Sequence, residues 1–324
     1  MRILSNADIA ALLPMDQAIE VIDTTMRSVS RGAAELPLRH VVPVGGANMM
    51  GVMSGALGEP QCYGVKLVSL FPENPKKGLS GHRGAVVLFE SETGGAVAMM
   101  DAGLLTAIRT AAASAVATRA LARSDAARLT LIGTGEQAEH HLTAMLAVHP
   151  ITHLHVVGRR AEAAQTFAAH AADRHPGLTI THGIDVKAGV QGADIICTVT
   201  NSATPILRGA WLEPGQHLNI VGASVASKRE VDDAVIPRAE VFCDYLPSLL
   251  AQAGEVVEGL KAGIFAQDHL KGEIGAHLDG GPGRSGPRAI TLYRSLGIVA
   301  QDLAVAHHVL GRAEREGRGT DVAL

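Results

Sequence analysis

Three cations stand where a cation is costly. Lys66 lies in "CYGVKLVSLF" with apolar neighbours on both sides, and Arg109 is the one charged residue between Asp101 and Arg119 in "LLTAIRTAAASAVATRALA". Arg39 opens the β-type run "RHVVPV". A buried arginine or lysine needs a partner of opposite charge. If the three converge, they form a pocket for a carboxylate, with Arg39 and Arg109 supplying forked donors. Burial beside two arginines would then lower the pKa of Lys66 and make it a proton donor or acceptor near neutrality. Taken singly, each has a plainer reading: Lys66 on an edge strand, Arg39 on the surface, Arg109 paired with a buried acid such as Asp101 or Asp302.

A second constellation binds phosphate. Gly133-Thr134-Gly135-Glu136-Gln137-Ala138 follows the strand-like "RLTLI" and precedes a helix-like run, the setting in which G-x-G-x-x-A holds a dinucleotide. The first glycine allows the tight turn, the second admits the pyrophosphate, and the small third residue lets helix and strand pack. The helix N-terminus adds N–H donors and a favourable dipole. The next strand ends in Gly158, Arg159 and Arg160, with no acid for the ribose hydroxyls. Two arginines there suit a 2′-phosphate, so the cofactor is NADPH or NADH with a lean to NADPH. Thr198, Val199, Thr200, Val221 and Gly222, at the ends of the fourth and fifth strand-like runs, join the cofactor site.

These residues need elements to hold them. "SNADIAALLPMDQAIEVIDTTMRSVSRG" reads as two helices broken at Pro14, with Ser5 and Asn6 as cap candidates. From 36 to 100 short β-type runs around "RHVVPV", "YGVKLVSLF", "GAVVLFES" and "AVAMMDAG" predict a mixed, mostly antiparallel sheet with a hairpin-like turn at "SETGG". A long helix follows over about 101–123. From 128 on, strands alternate with helices, which predicts a parallel doubly wound sheet. Residues 289–316 read as one long amphipathic helix, and 278–287 as a flexible loop.

Bulk properties exclude several classes. Of 324 residues 47% are hydrophobic and 19% charged, and the net charge is −4 with no basic stripe, against nucleic acid as a partner. No uncharged apolar run is long enough for a membrane span, and the N-terminus lacks signal-peptide features, so a cytoplasmic protein is expected. Cys62, Cys197 and Cys243 are scattered, and His140, His141, His307 and His308 lack carboxylate-supported metal spacing, so no metal is expected.

The chain resembles the ornithine cyclodeaminase/mu-crystallin family over essentially its whole length. The resemblance rests on "YGVKLVSLFPENPKKGLSGHRGAVVLFESETGG", "LLTAIRTAAASA", "LIGTGEQAEHHLTA", "TNSATPIL", "NIVGASVASKREVD" and "AITLYRSLGIVAQDLA", in the family's order. It implies an α/β protein with a central Rossmann domain (121–299) and an α+β substrate-binding and dimerisation domain (1–120) completed by the C-terminal helix (300–324). It also implies a homodimer. The family's carboxylate-binding arginines fall on Arg39 and Arg109 and its catalytic lysine on Lys66. Where cyclodeaminases carry an aspartate, this chain has Ser224, similar to mu-crystallin and the imine and ketimine reductases. His82 and Arg83, in "GLSGHRGAVV", fall in a segment near nicotinamide and substrate; His82 is a hydrogen-bonding or catalytic candidate, and Arg83 suits a second carboxylate, as in iminosuccinate. The resemblance therefore implies an NAD(P)H-dependent reductase of an imine adjacent to a carboxylate, cyclic or dicarboxylic. An alanine-type dehydrogenase, a cyclodeaminase and a binding protein are the alternatives.

Overall fold

A computed structural model describes residues 1–323. The chain divides into two compact units: residues 1–112 together with the chain from Gly297 on, and residues 113–296.

The chain starts with β1 (Arg2–Leu4) and α1 (Asn6–Leu12), which a capping box opens: the Ser5 hydroxyl accepts from the Asp8 N–H while Asp8 accepts from the Ser5 N–H at 3.0 Å. Pro14 caps α2 (Met15–Ser30), whose apolar stripe buries Ile19, Ile22 and Met26. Strands β2 (Ala34–Glu35), β3 (His40–Gly45), β4 (Asn48–Gly58), β5 (Gln61–Leu70), β6 (His82–Phe89) and β7 (Ala96–Asp101) follow, then α3 (Ala102–Leu121). In the second unit come β8 (Arg128–Ile132), α4 (Glu136–Val148), β9 (His153–Val157), α5 (Ala161–Arg174), β10 (Thr179–Gly183), α6 (Val186–Val190), β11 (Ile195–Thr198) and β12 (His217–Ile220). That unit ends with β13 (Glu240–Cys243), α7 (Leu246–Gln252), α8 (Gly254–Lys261), β14 (Leu270–Glu273), α9 (Ile274–Leu278) and β15 (Thr291–Arg294). The chain then returns to the first unit as α10 (Val299–Glu316) and β16 (Thr320–Asp321).

The first unit is built on a sheet of order β16-β1-β7-β6-β5-β4-β2, with β3 also on β4; every pairing is antiparallel except β1 with β7. Its longest strand, β4, does not stand out in the sequence, because "NMMGVMSGALG" carries glycine and methionine where strands favour branched residues. The glycines have a packing reason. A Cβ on Gly55 would stand 2.6 Å from Val299, and one on Gly64 would stand 2.9 Å from Leu303 and 2.2 Å from the Val87 carbonyl oxygen. Their absence lets α10 lie close on this face, where Met53, Lys66, Val68, Val86, Leu88 and Met100 are buried.

The second sheet is wholly parallel, in the order β10-β9-β8-β11-β12-β15-β13-β14. The strand order reverses between β8 and β11, which places a ligand crevice beyond their carboxyl ends. Two expectations need correction. Residues 289–316 are not one helix: 291–294 form β15, buried between β12 and β13, and α10 starts only at Val299 after a turn at Gly297 with φ 73°. A short, fully buried apolar run has no periodicity to separate strand from helix. Nor is 278–287 a loose loop. Arg284 ties it down by donating to the Leu121 carbonyl at 2.6 Å and the Thr291 hydroxyl at 3.0 Å.

Replacing Gly64 by alanine forces a methyl into the Val87 carbonyl and Leu303, an overpacking that costs about 1–3 kcal/mol. The urea midpoint of Gly64→Ala should fall accordingly, while Gly177→Ala, which meets nothing within 4 Å, should leave it unchanged.

Candidate functional site

In the first unit, three elements and two loops bring the predicted cations together. Lys66, in the middle of β5, is 2% exposed, and its ammonium donates to Asp302 Oδ1 at 2.8 Å. Arg109 Nε, from α3, donates to the same oxygen at 3.0 Å, and its Nη1 donates to Gln301 Oε1 at 2.7 Å. Arg39 Nη2 donates to the Gly297 carbonyl at 2.6 Å. A Cβ on Gly297 would stand 2.6 Å from Arg109 Nη1, so this left-handed glycine fits between the two arginines. Arg109 therefore has an internal anion, Asp302. That one carboxylate oxygen faces both the Lys66 ammonium and the Arg109 guanidinium.

Burial above all, opposed by the Asp302 carboxylate and aided by the Arg109 and Arg39 charges, brings the Lys66 ammonium down to about 7. Burial alone would raise the Asp302 carboxyl, but Arg109 and Lys66 outweigh it and hold it below its usual value. Asp302 Oδ2 is buried and accepts no hydrogen bond among the described residues.

Strand alternation sorts His82 from Arg83. In the β5–β6 register Lys66 opposes Val86 and Leu70 opposes His82, so His82 shares the Lys66 face and Arg83, opposite Ser69, takes the other. His82 retains exposed surface, yet protein atoms crowd its ring; that desolvation and the charges of Lys66 and Arg109 push its imidazole down to about 4. It is a neutral hydrogen-bonding group at pH 7. Arg83 is not in the cation cluster, against the expectation that it adds a fourth cation there.

In the second unit the glycine turn has the shape phosphate needs. Gly133 has φ 125°, and a Cβ there would stand 2.7 Å from the Val199 carbonyl oxygen, so only glycine fits. Gly135 caps α4, and a Cβ on it would meet nothing within 4 Å: the side facing away from the sheet is open. Thr134 links the two glycines, Glu136 and Gln137 form the first turn of α4, and Ala138 is fully buried against the sheet. At the end of β9, Gly158 has no room for a side chain beside Ala164, and Arg159 and Arg160 are exposed.

Residues the sequence reading missed organise the ends of β11 and β12. Glu230 is fully buried. It accepts from the Thr198 hydroxyl at 2.7 Å, the Thr200 N–H at 2.9 Å, the Thr200 hydroxyl at 2.6 Å and the Gly222 N–H at 2.7 Å. Arg294, also fully buried, pairs with Glu255 and donates to the carbonyls of Ile220 at 3.2 Å and Ala223 at 2.6 Å. A carboxylate and a guanidinium thus fix the turn Val221–Ala223 that leads to half-buried Ser224. Among the described residues no group of histidine, cysteine, aspartate or glutamate could hold a metal ion.

The Lys66 shift predicts a pH dependence of stability. Below pH 7 both states hold the proton and the fold bears the full cost of the buried charge. Between about 7 and the ordinary 10.5 the unfolded chain keeps a proton that the folded chain has released, so stability rises with pH across that window. Urea midpoints from pH 7 to 9.5 should climb for the wild type relative to Lys66→Met; equal slopes would mean that Lys66 titrates normally.

Three solved structures are similar over the whole chain. The Thermococcus litoralis Δ1-pyrroline-2-carboxylate reductase, in complex with NADH and L-proline, matches with a TM-score of 0.95 and 30% identity, covering 99% of this chain and 100% of that one. An archaeal alanine dehydrogenase dimer with bound NAD matches at 0.93 and 28%, covering 100% and 99%. The Paracoccus denitrificans iminosuccinate reductase in complex with NAD+ matches at 0.91 and 30%, covering 100% and 99%. The family model for the ornithine cyclodeaminase/mu-crystallin family matches residues 1–317, and with this match the cations and the glycine turn have their common frame: the chain belongs to that family.

Proposed function

We propose that this protein is an NAD(P)H-dependent reductase of an imine adjacent to a carboxylate, giving an L-amino or cyclic imino acid. The observation that carries the reading is the convergence of buried Lys66 and Arg109 on Asp302, with half-buried Arg39 joined to them through the Gly297 turn. An ammonium and two guanidinium groups brought to one place suit an anionic substrate. A guanidinium fork fixes the plane of a carboxylate, and so the position of the carbon next to it. Lys66, titrating near 7, supplies a proton to the imine nitrogen. The likeness to proteins named pyrroline-2-carboxylate and iminosuccinate reductases supports the same chemistry. Ser224 offers a hydroxyl to hold water or a polar substrate group; it cannot serve as a carboxylate base, which weighs against cyclodeamination.

The residues present suit a dinucleotide. The open side of Gly135 and the N-terminus of α4 would receive the pyrophosphate, and Thr198–Thr200 with Val221–Gly222 would line the crevice beyond β11 and β12. When bound, the nicotinamide supplies the hydride for the C=N carbon. Arg159 and Arg160 favour the 2′-phosphate of NADPH. A homodimer is proposed as well. The sheet face away from α10 leaves Val52, Val65, Leu67, Val87 and Met99 half-exposed, and an archaeal relative is a dimer.

The deciding assay is NADPH and NADH oxidation against Δ1-pyrroline-2-carboxylate, Δ1-piperideine-2-carboxylate, iminosuccinate, and pyruvate or glyoxylate with amines. Turnover only of pyruvate with ammonia would make it an alanine-type dehydrogenase, and no turnover a binding protein. Arg109→Lys keeps the charge but loses the fork, so KM should rise and kcat should fall, with kcat/KM reduced by roughly 100-fold. Unchanged kcat/KM would mean that Arg109 serves Asp302 alone. Replacing both Arg159 and Arg160 by alanine should weaken NADPH by about 10- to 150-fold with little change for NADH, as measured by fluorescence titration; equal small losses would show that the pair is only solvated.

A further inference from the structure

Strand order sets the direction in which a dinucleotide would lie on the second sheet. β9 flanks β8 on one side, and β11 then β12 on the other. With the pyrophosphate at the glycine turn after β8 and the 2′-phosphate at Arg159 and Arg160 after β9, the nicotinamide half would extend over the ends of β11 and β12. One side chain holds the groups there. Glu230 Oε1 accepts from the Thr200 N–H at 2.9 Å and the Thr200 hydroxyl at 2.6 Å, and Oε2 accepts from the Thr198 hydroxyl and the Gly222 N–H, each at 2.7 Å. Thr200 passes the contact on, since its hydroxyl oxygen accepts from the Ser202 N–H at 3.1 Å. The two segments also touch directly: a Cβ on Gly222 would stand 2.0 Å from the Thr200 carbonyl oxygen. Glu230 is anchored in turn, because its backbone carbonyl accepts from the N–H groups of Ile206 at 2.8 Å and Leu207 at 3.0 Å.

We infer that Glu230 is a positioning residue for the nicotinamide half of the cofactor: its carboxylate clamps Thr200 to Gly222 and so fixes the surface that half rests on, from a place where Glu230 itself is out of reach. This rests on the dinucleotide reading of the site. The position demands a carboxylate. Four donors converge on two oxygens, two on each, and two of the donors are backbone N–H groups that cannot turn round. A glutamine has one acceptor oxygen and one NH2 group. With its oxygen toward Thr200, the NH2 opposes the Gly222 N–H; turned over, it opposes the Thr200 N–H. Either way a buried N–H loses its acceptor and meets a donor, so the two segments must part. The glycine turn has its own support. Gly133 packs on Val199, whose N–H donates to the Ile132 carbonyl at 2.9 Å independently of Glu230.

The test compares two ligands on the full-length protein by isothermal titration calorimetry: NADPH, and 2′-phospho-ADP-ribose, which is the same molecule without its nicotinamide. The wild type should bind NADPH the more tightly. Glu230→Gln should lose most of that preference, with NADPH weakened by roughly 10- to 100-fold and 2′-phospho-ADP-ribose unchanged. Thr198→Val is the second variant. Thr198 is fully buried and reaches the crevice only through Glu230, so its loss should weaken NADPH alone and by a smaller factor; it decides the question if Glu230→Gln does not fold. Equal weakening of both ligands, with a lowered melting temperature, would make Glu230 a brace for the whole unit and overturn the inference. Unchanged binding of both ligands overturns it too, as does equal affinity of the wild type for the two. Failure of the wild type to bind either ligand overturns the dinucleotide reading itself along with it.

Discussion

One oxygen organises the first unit. Asp302 Oδ1 receives both the Lys66 ammonium and Arg109 Nε, and all three side chains are buried. Stripping water from each of these ions costs several kcal/mol, and removing one partner from such a pair typically costs about 3–5 kcal/mol. The surrounding elements are shaped to make the contact. Asp302 can reach Lys66 because α10 lies against β4 and β5, and α10 lies there because Gly55 and Gly64 have no side chains to hold it off. Gly297, immediately before the helix, gives its carbonyl to Arg39 and presents a bare Cα to Arg109. The turn that starts α10 thus also orients the two arginines.

The second unit uses the same physics for a different purpose. Glu230 and Arg294 are both fully buried, and both spend most of their hydrogen-bonding capacity on backbone or hydroxyl groups at the ends of strands. Loops outside a parallel sheet are ordinarily the mobile part of such a fold. Here a carboxylate gathers Thr198 at the end of β11 with Thr200 and Gly222 from the segments that follow β11 and β12, and a guanidinium takes the carbonyls of Ile220 and Ala223. The crevice beyond β11 and β12 is therefore preorganised before any ligand arrives, which reduces the ordering cost of binding.

How much of this was legible depended on whether a residue broke its local pattern. Lys66 in an apolar strand and Arg109 in an alanine-rich helix are conspicuous because nothing around them explains a charge. The glycine turn is conspicuous because Gly133 and Gly135 sit between a strand and a helix. Glu230 is just as buried, but "KREVD" after a loop reads as ordinary solvated polarity, and Asp302 stood out only as one of two acids, with Asp101, that could pair with Arg109. Their significance lies in what packs over them, which is long-range information: Lys66 and Asp302 are 236 positions apart. β15 escaped for the opposite reason. It is so completely buried that no alternation remains, and the helix that follows lent it a false period. Arg83 looked like a fourth cation because it is next to His82, but in a strand adjacency in sequence means opposite faces.

The proton chemistry of the proposed reaction is constrained by what the cluster lacks. A guanidinium does not release a proton in the working range of a protein. Asp302 is held ionised by its two cations, and His82 is already neutral well below pH 7. Lys66 alone sits where both of its protonation states are populated near neutrality. A site of this composition favours carboxylate substrates whose reaction consumes one proton beside the carboxylate, as imine reduction does. It is poorly equipped for a step that needs a second base acting at the same time.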